Sequence, residues 1–284
     1  MQEPTVRTSR LAIAGGLAAI MAVGGAGFLF GRSTAPRPEP VPQVAAPIPV
    51  TPPPPPSEAP RTMARADLID LARRAADAFA SNQPPPGDMD AAAGRRFDLV
   101  LPFGCGGPSD AASTLPMQWR YDAEAKVLHV SVNPTAWSAA DWGLGEEAGV
   151  TSAEGFWIAR PWSSSEACPT RVGTATPTGV EPVTLPGQTL GIAQFLADGA
   201  RREGRAFEIR QRMNPEEAEG GQGFRLRLIG RVERIAGAAP VRCIQPAGIE
   251  QRPVCVIGMR MDEVRIENPA TGKVLGTWPA SRPD

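Results

Sequence analysis

Few residues in this chain of 284 amino acids have side chains that commonly carry out catalysis. Its single histidine, His129, lies in a segment that alternates apolar and polar residues, which is typical of a β-strand. A hydrolase triad would have to use this histidine as its base, and no G-x-S-x-G motif provides a serine nucleophile. The histidine count also excludes metal sites built on several histidines. We therefore predict no catalytic residue, no metal site and no cofactor.

Carboxylates leave one catalytic alternative open. Glu146 and Glu147 lie in a glycine-containing loop, close in sequence to Trp142. Pairs of carboxylic acids at a suitable distance hydrolyse glycosidic bonds. The spacing of these two residues does not single them out, so the sequence favours a protein without enzymatic activity. The alternative is a periplasmic hydrolase that acts on glycan or peptide.

Four cysteines indicate the compartment of the protein. No two of them form a C-x-x-C pair, so the spacing of zinc ribbons, thioredoxin-type redox sites and iron–sulfur ligands is absent. An even number of cysteines in an extracytoplasmic domain predicts disulfides. Four cysteines permit three pairings. Cys243 and Cys255 flank a loop between two predicted strands, so proximity alone favours their pairing, which leaves Cys105 with Cys168. The alternative is four buried free thiols.

Arginines are concentrated in residues 201–234, which contain nine of them. If the predicted strands 205–213 and 223–235 pair as a hairpin, several guanidiniums share one sheet face, where like charges destabilise the sheet unless something neutralises them. An anionic ligand such as an envelope polymer or a lipid headgroup would do so. The alternative is a solvated face that is neutralised by the acidic residues of the same stretch. The candidate anion-binding residues are Arg210, Arg212, Arg225 and Arg227.

The first element along the chain is a predicted transmembrane helix, residues 11–31, which follows a short cytoplasmic tail, residues 1–10. Residues 11–30 carry no charge, and as a helix they span roughly 30 Å, the thickness of the bilayer core. A cleaved signal peptide is the alternative, but no small-x-small cleavage site follows the apolar run. Alanines recur every four residues in this helix, which permits weak self-association.

A proline-rich linker, residues 32–61, follows the predicted anchor. Proline accounts for 12 of the 26 residues from 35 to 60. Such a segment cannot form a helix or a central strand and is typical of a semi-rigid polyproline II spacer.

The remainder, residues 62–284, is predicted to be an extracytoplasmic β domain. It begins with an amphipathic helix from about Met63 to Ala80, capped by Thr62, with Asp70 and Arg74 as an i, i+4 pair. Period-two patterns then predict an antiparallel β-sandwich or barrel-like domain. A stretch rich in Thr, Pro and Gly at 174–188 divides it into two possible lobes, 88–173 and 188–284. The predicted strand segments are 97–103, 119–121, 128–132, 156–158, 207–213, 224–232, 254–266 with a bulge near Asp262, and 274–278.

Together these features predict a mainly β, membrane-anchored protein of the bacterial cell envelope. It would cross the inner membrane once, with its C-terminal domain in the periplasm acting as a binding or assembly module. We expect the membrane as one partner and an envelope protein or an anionic envelope polymer as another. The net charge of −1 gives no bulk attraction to nucleic acid, which we do not expect as a partner.

Overall fold

One long helix, one short helix and eleven β-strands make up the regular structure of the described residues in the computed structural model. These residues are 61–158, 165–168, 189–197, 205–218 and 223–279. The predicted cytoplasmic tail, transmembrane helix and nearly all of the linker lie outside them. Within the described ranges, no helix has the length and apolar character needed to cross a bilayer.

Helix α1 (Arg65–Ala80) forms as its apolar stripe predicts, and it packs its buried side chains against the β domain. The predicted ion pair joins Arg74 Nε to Asp70 Oδ2 at 2.9 Å. The helix starts later than predicted, because Met63 instead pairs with Phe97 at the edge of a sheet. The predicted cap at Thr62 is therefore wrong. The buried members of the predicted stripe are Leu68, Leu71, Ala72, Ala75 and Ala76, whereas its last member, Phe79, is exposed.

The N terminus of α1 is closed by an acidic side chain from within the helix. Ala64 occupies the capping position and its N–H donates to Asp67 Oδ2 at 2.8 Å. This bond satisfies one of the backbone donors that every helix N terminus leaves without an intrahelical acceptor.

The described part of the domain contains eleven strands. A four-residue helix, α2 (Pro215–Ala218), lies between the seventh strand and the eighth. The strands are β1 (Arg96–Phe103), β2 (Met117–Asp122), β3 (Val127–Val132), β4 (Thr135–Ser138), β5 (Ser152–Trp157), β6 (Leu190–Leu196), β7 (Phe207–Arg212), β8 (Phe224–Val232), β9 (Val241–Ile244), β10 (Val254–Asn268) and β11 (Lys273–Pro279).

These strands form two sheets. The first has eight strands in the order β1-β8-β10-β6-β5-β4, with β9 and β11 also paired to β10. The second has three antiparallel strands in the order β2-β3-β7. The expectation of a purely antiparallel domain is wrong at one pair, because β6 runs parallel to β10. The domain is therefore mainly β, with one mixed and one antiparallel sheet.

Strand β10 is the centre of the first sheet. Its N-terminal part pairs with β6 and β9, and its C-terminal part pairs with β8 and β11. The register with β8 shifts between Met261 and Glu263, which confirms the predicted bulge near Asp262. A bulge bends a strand and increases its local twist. With this bend, β10 continues as one strand through both halves of the sheet.

Of the two hairpins that the sequence patterns suggest, one forms and the other does not. The β2–β3 hairpin is confirmed across the turn that follows Asp122. A hairpin of β7 with β8, the condition for a shared arginine face, does not form, because β7 pairs with β3, while β8 pairs with β1 and β10. A period-two pattern says which face of a strand is buried but not which strand is its neighbour.

The core draws on both predicted lobes, 88–173 and 188–284. Both sheets contain strands from each of the two ranges, as in the β1–β8 and β3–β7 pairs. Fully buried residues from both ranges, among them Phe97, Leu128 and Leu228, belong to one cluster. Among the described residues, the two ranges thus share their sheets and their main core.

Candidate functional site

A polar cavity of about 360 Å³ opens on the outer face of the second sheet. Strands β2, β3 and β7 provide its floor, and residues 109–111 of the loop before β2 provide a wall. Its volume lies at the small end of the range typical of ligand pockets.

The alternation of β3 explains why the floor is polar. Leu128, Val130 and Val132 are buried in the core. Successive side chains of a strand point to opposite faces, so His129 and Ser131 must lie on the outer face. The same alternation in β2 and β7 exposes charged and amide side chains beside them.

Two arginines flank the histidine on the cavity floor. Arg120 of β2 is the register partner of His129, and His129 is in turn the partner of Arg210 of β7. Neighbouring strands lie roughly 4.8 Å apart, so the imidazole has a guanidinium-bearing residue on each side. The pKa of His129 is lowered, first by burial and then by the positive charges of Arg120 and Arg210, while Asp122 opposes the shift.

A second row lies one pleat away from the first. Gln118, Ser131 and Glu208 are register partners across the same three strands and line the same cavity. The Ser131 hydroxyl accepts a weak hydrogen bond from Asn133 Nδ2 at 3.4 Å. This row places amide, hydroxyl and carboxylate groups beside the basic row, so a ligand would meet both kinds of partner.

The two arginines of the basic row form no ion pair within the described part of the chain. None of the ion pairs formed there involves Arg120 or Arg210. Guanidiniums bind carboxylates and phosphates through charge-assisted, often bidentate hydrogen bonds. The arrangement therefore suits an anionic group placed above His129.

The wall of the cavity is fixed to β2. Trp119 Nε1 donates to the carbonyl of Gly104 at 3.2 Å, and the Ser109 N–H donates to the carbonyl of Trp119 at 2.7 Å. Gly104 has a φ of +65°, and a Cβ there would lie 2.3 Å from the Trp119 ring. Only glycine fits this position without displacing the indole. The adjacent Cys105 is held by a disulfide to Cys168.

Both predicted disulfides are present. Cys243 and Cys255 are register partners on β9 and β10, and Cys105 pairs with Cys168. No described cysteine is free. Disulfides persist in oxidising compartments and are rare in the cytosol, so the two bonds suggest an extracytoplasmic domain.

Catalytic arrangements are not formed around the residues that the sequence singled out. Among the described residues, His129 makes no hydrogen bond to a serine or to a carboxylate. Glu146 and Glu147 lie in an exposed 3₁₀ turn (Glu146–Ala148) that does not line the cavity. The same part of the chain contains no group of three or more His, Cys, Asp or Glu residues that could hold a metal ion.

The four arginines proposed from the sequence do not share one face. Arg210 lies on the cavity floor and Arg212 follows it on β7, whereas Arg225 and Arg227 belong to the first sheet. This outcome follows from the separate pairing of β7 and β8. Whether any of these residues binds an anion stays a prediction.

Arg227 in particular is surrounded by carboxylates. Its Nη1 donates to both oxygens of Asp98 at 2.8 Å, and its Nε donates to Glu267 Oε1 at 2.7 Å. Two carboxylates for one guanidinium leave no positive charge to attract an anion. The sequence reasoning also overlooked Arg120, although the β2–β3 hairpin it predicted places that residue opposite His129.

Comparisons of the chain with protein-family models, with curated proteins and with solved structures give no match.

Proposed function

We propose that this protein is a membrane-tethered binding module of the bacterial cell envelope, and that its β domain captures an anionic group of an envelope component. The observation that supports this most directly is the row Arg120, His129 and Arg210 on the floor of the polar cavity. These three nitrogen-bearing side chains lie in register, so they are arranged to donate to one oxyanion. Neither arginine is paired with a carboxylate among the described residues.

The neighbouring row indicates what surrounds that anionic group. Gln118, Ser131 and Glu208 offer hydrogen bonds to hydroxyl or amide groups about two residues along the strands, roughly 7 Å away. An acidic sugar residue has both features, a carboxylate and several hydroxyls. A polysaccharide that contains such residues is an anionic envelope polymer of the kind the proposal requires.

The tether and the compartment form the second half of the proposal. The two disulfides support an oxidising compartment. We place residues 11–31 in the inner membrane as a single span, residues 32–61 as a spacer, and the sandwich-like β domain in the periplasm. The full chain should then sediment with membranes and resist alkaline carbonate, whereas a chain that lacks residues 1–34 should be released. Release of the full chain by carbonate would contradict the tether.

The single histidine gives a direct test of the cavity. In full chain labelled at histidine, the imidazole NMR signals belong to His129 alone. We expect galacturonate to shift these signals and to raise the pKa of His129, because a bound carboxylate stabilises the imidazolium. Galactose, which has the same ring without the carboxylate, should shift them little. Arg120→Gln and Arg210→Gln should each weaken the galacturonate effect, and Arg265→Gln should not. Equal responses to the two sugars would contradict an anion site.

A hydrolase remains the second candidate, because Asp110 and Glu208 line the same cavity. Glycoside hydrolysis requires two carboxylic acids on either side of the scissile bond. Under this alternative, a polygalacturonate digest by the full chain would generate reducing ends, and Asp110→Asn and Glu208→Gln would each abolish them. Binding without any release of reducing ends would eliminate this hydrolase activity.

A further inference from the structure

A second row of arginines crosses the first sheet. Arg96 of β1 is the register partner of Arg231 of β8, and Arg231 is the partner of Arg260 of β10. Partner residues on adjacent antiparallel strands lie roughly 4.5–5.5 Å apart. Three like charges directly opposite one another destabilise a sheet, so their alignment requires an explanation.

Two other arginines of the same face are paired with carboxylates. Arg227 is paired with Asp98 and Glu267, and the Nε of Arg265 donates to Glu263. Arg225, at the far end of β8, has no ion pair among the described residues, and its Nε is buried without a hydrogen-bond partner. The arginines next to the row therefore have acidic partners, whereas the row itself has few.

Among the described residues, a single carboxylate lies within ion-pair distance of the arginine row, and it lies at the limit of that distance. Arg260 Nε lies 4.0 Å from Asp262 Oδ1, the limit of an ion pair. Arg231 donates through Nη1 to the carbonyl of Gly94 at 3.2 Å, which orients the side chain but adds no negative charge. No ion pair of Arg96 occurs among the described residues. Arg96 and Arg260 are exposed and Arg231 is half-buried.

We propose that the row Arg96, Arg231 and Arg260 is a second anion-binding site, and that its ligand is a linear polyanion lying across the three strands. A polymer with an oxyanion on each repeat can pair with successive guanidiniums along the row. A single small anion can reach only part of it. The site belongs to the first sheet, whereas the cavity of His129 belongs to the second, so this proposal does not rest on the proposed function.

A soluble polymer fits the surface better than a membrane does. The row is one residue wide, because the arginines next to it, Arg227 and Arg265, already have acidic partners. Binding in the membrane interface usually combines positive charge with inserted apolar side chains. The large apolar side chains that are exposed in the described residues, Phe79, Leu115, Ile249 and Val274, do not belong to this row.

The test measures polymer binding to the full chain in non-ionic detergent by calorimetry. Polygalacturonate and inorganic polyphosphate are the probes, which separate carboxylate from phosphate chemistry, and dextran is the neutral control. We expect Arg96→Gln/Arg260→Gln to weaken binding at least about tenfold, since two charge-assisted contacts are lost. Arg73→Gln/Arg252→Gln removes the same net charge beside helix α1 and should leave the affinity unchanged.

Stability provides a readout that separates binding from folding. Removing two like charges from the row relieves repulsion, so Arg96→Gln/Arg260→Gln should melt at the same temperature as the natural chain or higher. Each bound polymer should raise the melting temperature of the natural chain more than that of this variant, in which the cavity of His129 is the one proposed site left intact. A lower melting temperature of the variant without polymer would mean that the row has a structural role and would overturn the proposal.

Other outcomes would also overturn it. If neither polymer binds, or if Arg73→Gln/Arg252→Gln weakens binding as much as the row variant, the row has no special role. If anionic lipid added to the micelles displaces the polymer when the two are at equal molar concentration, the ligand is a membrane surface. The signals of His129 report on the cavity in the same samples, so failure at one site is distinguishable from failure at the other.

Discussion

The Nη1 atom of Arg227 lies 2.8 Å from both carboxylate oxygens of Asp98, across the pairing of β8 with β1. Glu267 of β10 approaches the same guanidinium from the other neighbouring strand, with its Oε1 2.7 Å from Nε. Burial by itself lowers the pKa of Arg227, but the hydrogen bonds and charges of Glu267 and Asp98 outweigh it, so the pKa is raised. One positive side chain thus holds two acids together across three strands.

Replacing this arginine should destabilise the domain. Arg227→Gln leaves Asp98 and Glu267 close together without a cation, on a half-buried surface. We expect the free energy of unfolding to fall by about 1–3 kcal/mol, measured by urea denaturation. Arg265→Gln is the matched control, because it removes an arginine of the same face that is paired only with Glu263 on its own strand, and it should cost less than about 1 kcal/mol. Equal losses for the two variants would contradict the role of Arg227.

The pKa of His129 should lie below the ordinary histidine value of 6.5. Because the folded protein holds this proton less tightly than the unfolded chain, its stability should fall as the pH decreases from about 6.5 towards the lowered pKa. Arg120→Gln and Arg210→Gln should each raise the pKa, since each removes a positive charge that opposes protonation. NMR titration of the single histidine measures these values, and an unchanged pKa in both variants would contradict the electrostatic account.

The two disulfides should differ in what they contribute. The Cys105–Cys168 bond joins residues 63 apart and the Cys243–Cys255 bond joins residues 12 apart. Loop-closure entropy predicts about 4 and 3 kcal/mol for them, respectively. Unfolding of the paired Cys→Ala variants measures these losses. The native chain should react with thiol reagents only after reduction, and thiols that react without reductant would contradict the disulfides.

Gly104→Ala should disturb the wall of the polar cavity. The new methyl group would lie within the Trp119 ring at a positive φ, and we expect a loss of about 2–4 kcal/mol together with weaker galacturonate binding. Gly107→Ala is the control, because Gly107 also has a positive φ but has no atom within 4 Å of an added Cβ. It should cost about 1 kcal/mol. A similar loss at both positions would show that backbone strain, not the indole contact, limits Gly104.

Local patterns in the sequence predicted most of the strands. The alternation in β1, β3, β7 and β8 is clear because one face of each strand is buried and the other is polar. Strand β6 has no such alternation, since it is covered on both faces, and parallel strands of this kind read as continuous apolar runs. Strands β4 and β9 are only four residues long, too short for a pattern.

Only part of the candidate site could be predicted from the sequence. The hairpin that brings Arg120 opposite His129 involves strands adjacent in the chain, so its register follows from local patterns. The pairing of β3 with β7, which supplies Arg210, joins segments about 80 residues apart. Nothing in the residues of either strand specifies that choice, because any strand with one apolar face satisfies the same pattern. The sequence patterns therefore could not show that the arginines of β7 and β8 belong to two different sheets.

Strand β10 limits how this domain can be divided. Among the described residues, β9 and β11 have no strand partner other than β10, and both β6 and β8 also pair with it. A fragment that ends before Val254 would leave β9 with no neighbour and expose two strand edges. Within the described residues, a fragment that keeps all the pairings of β10 must therefore extend at least through β11.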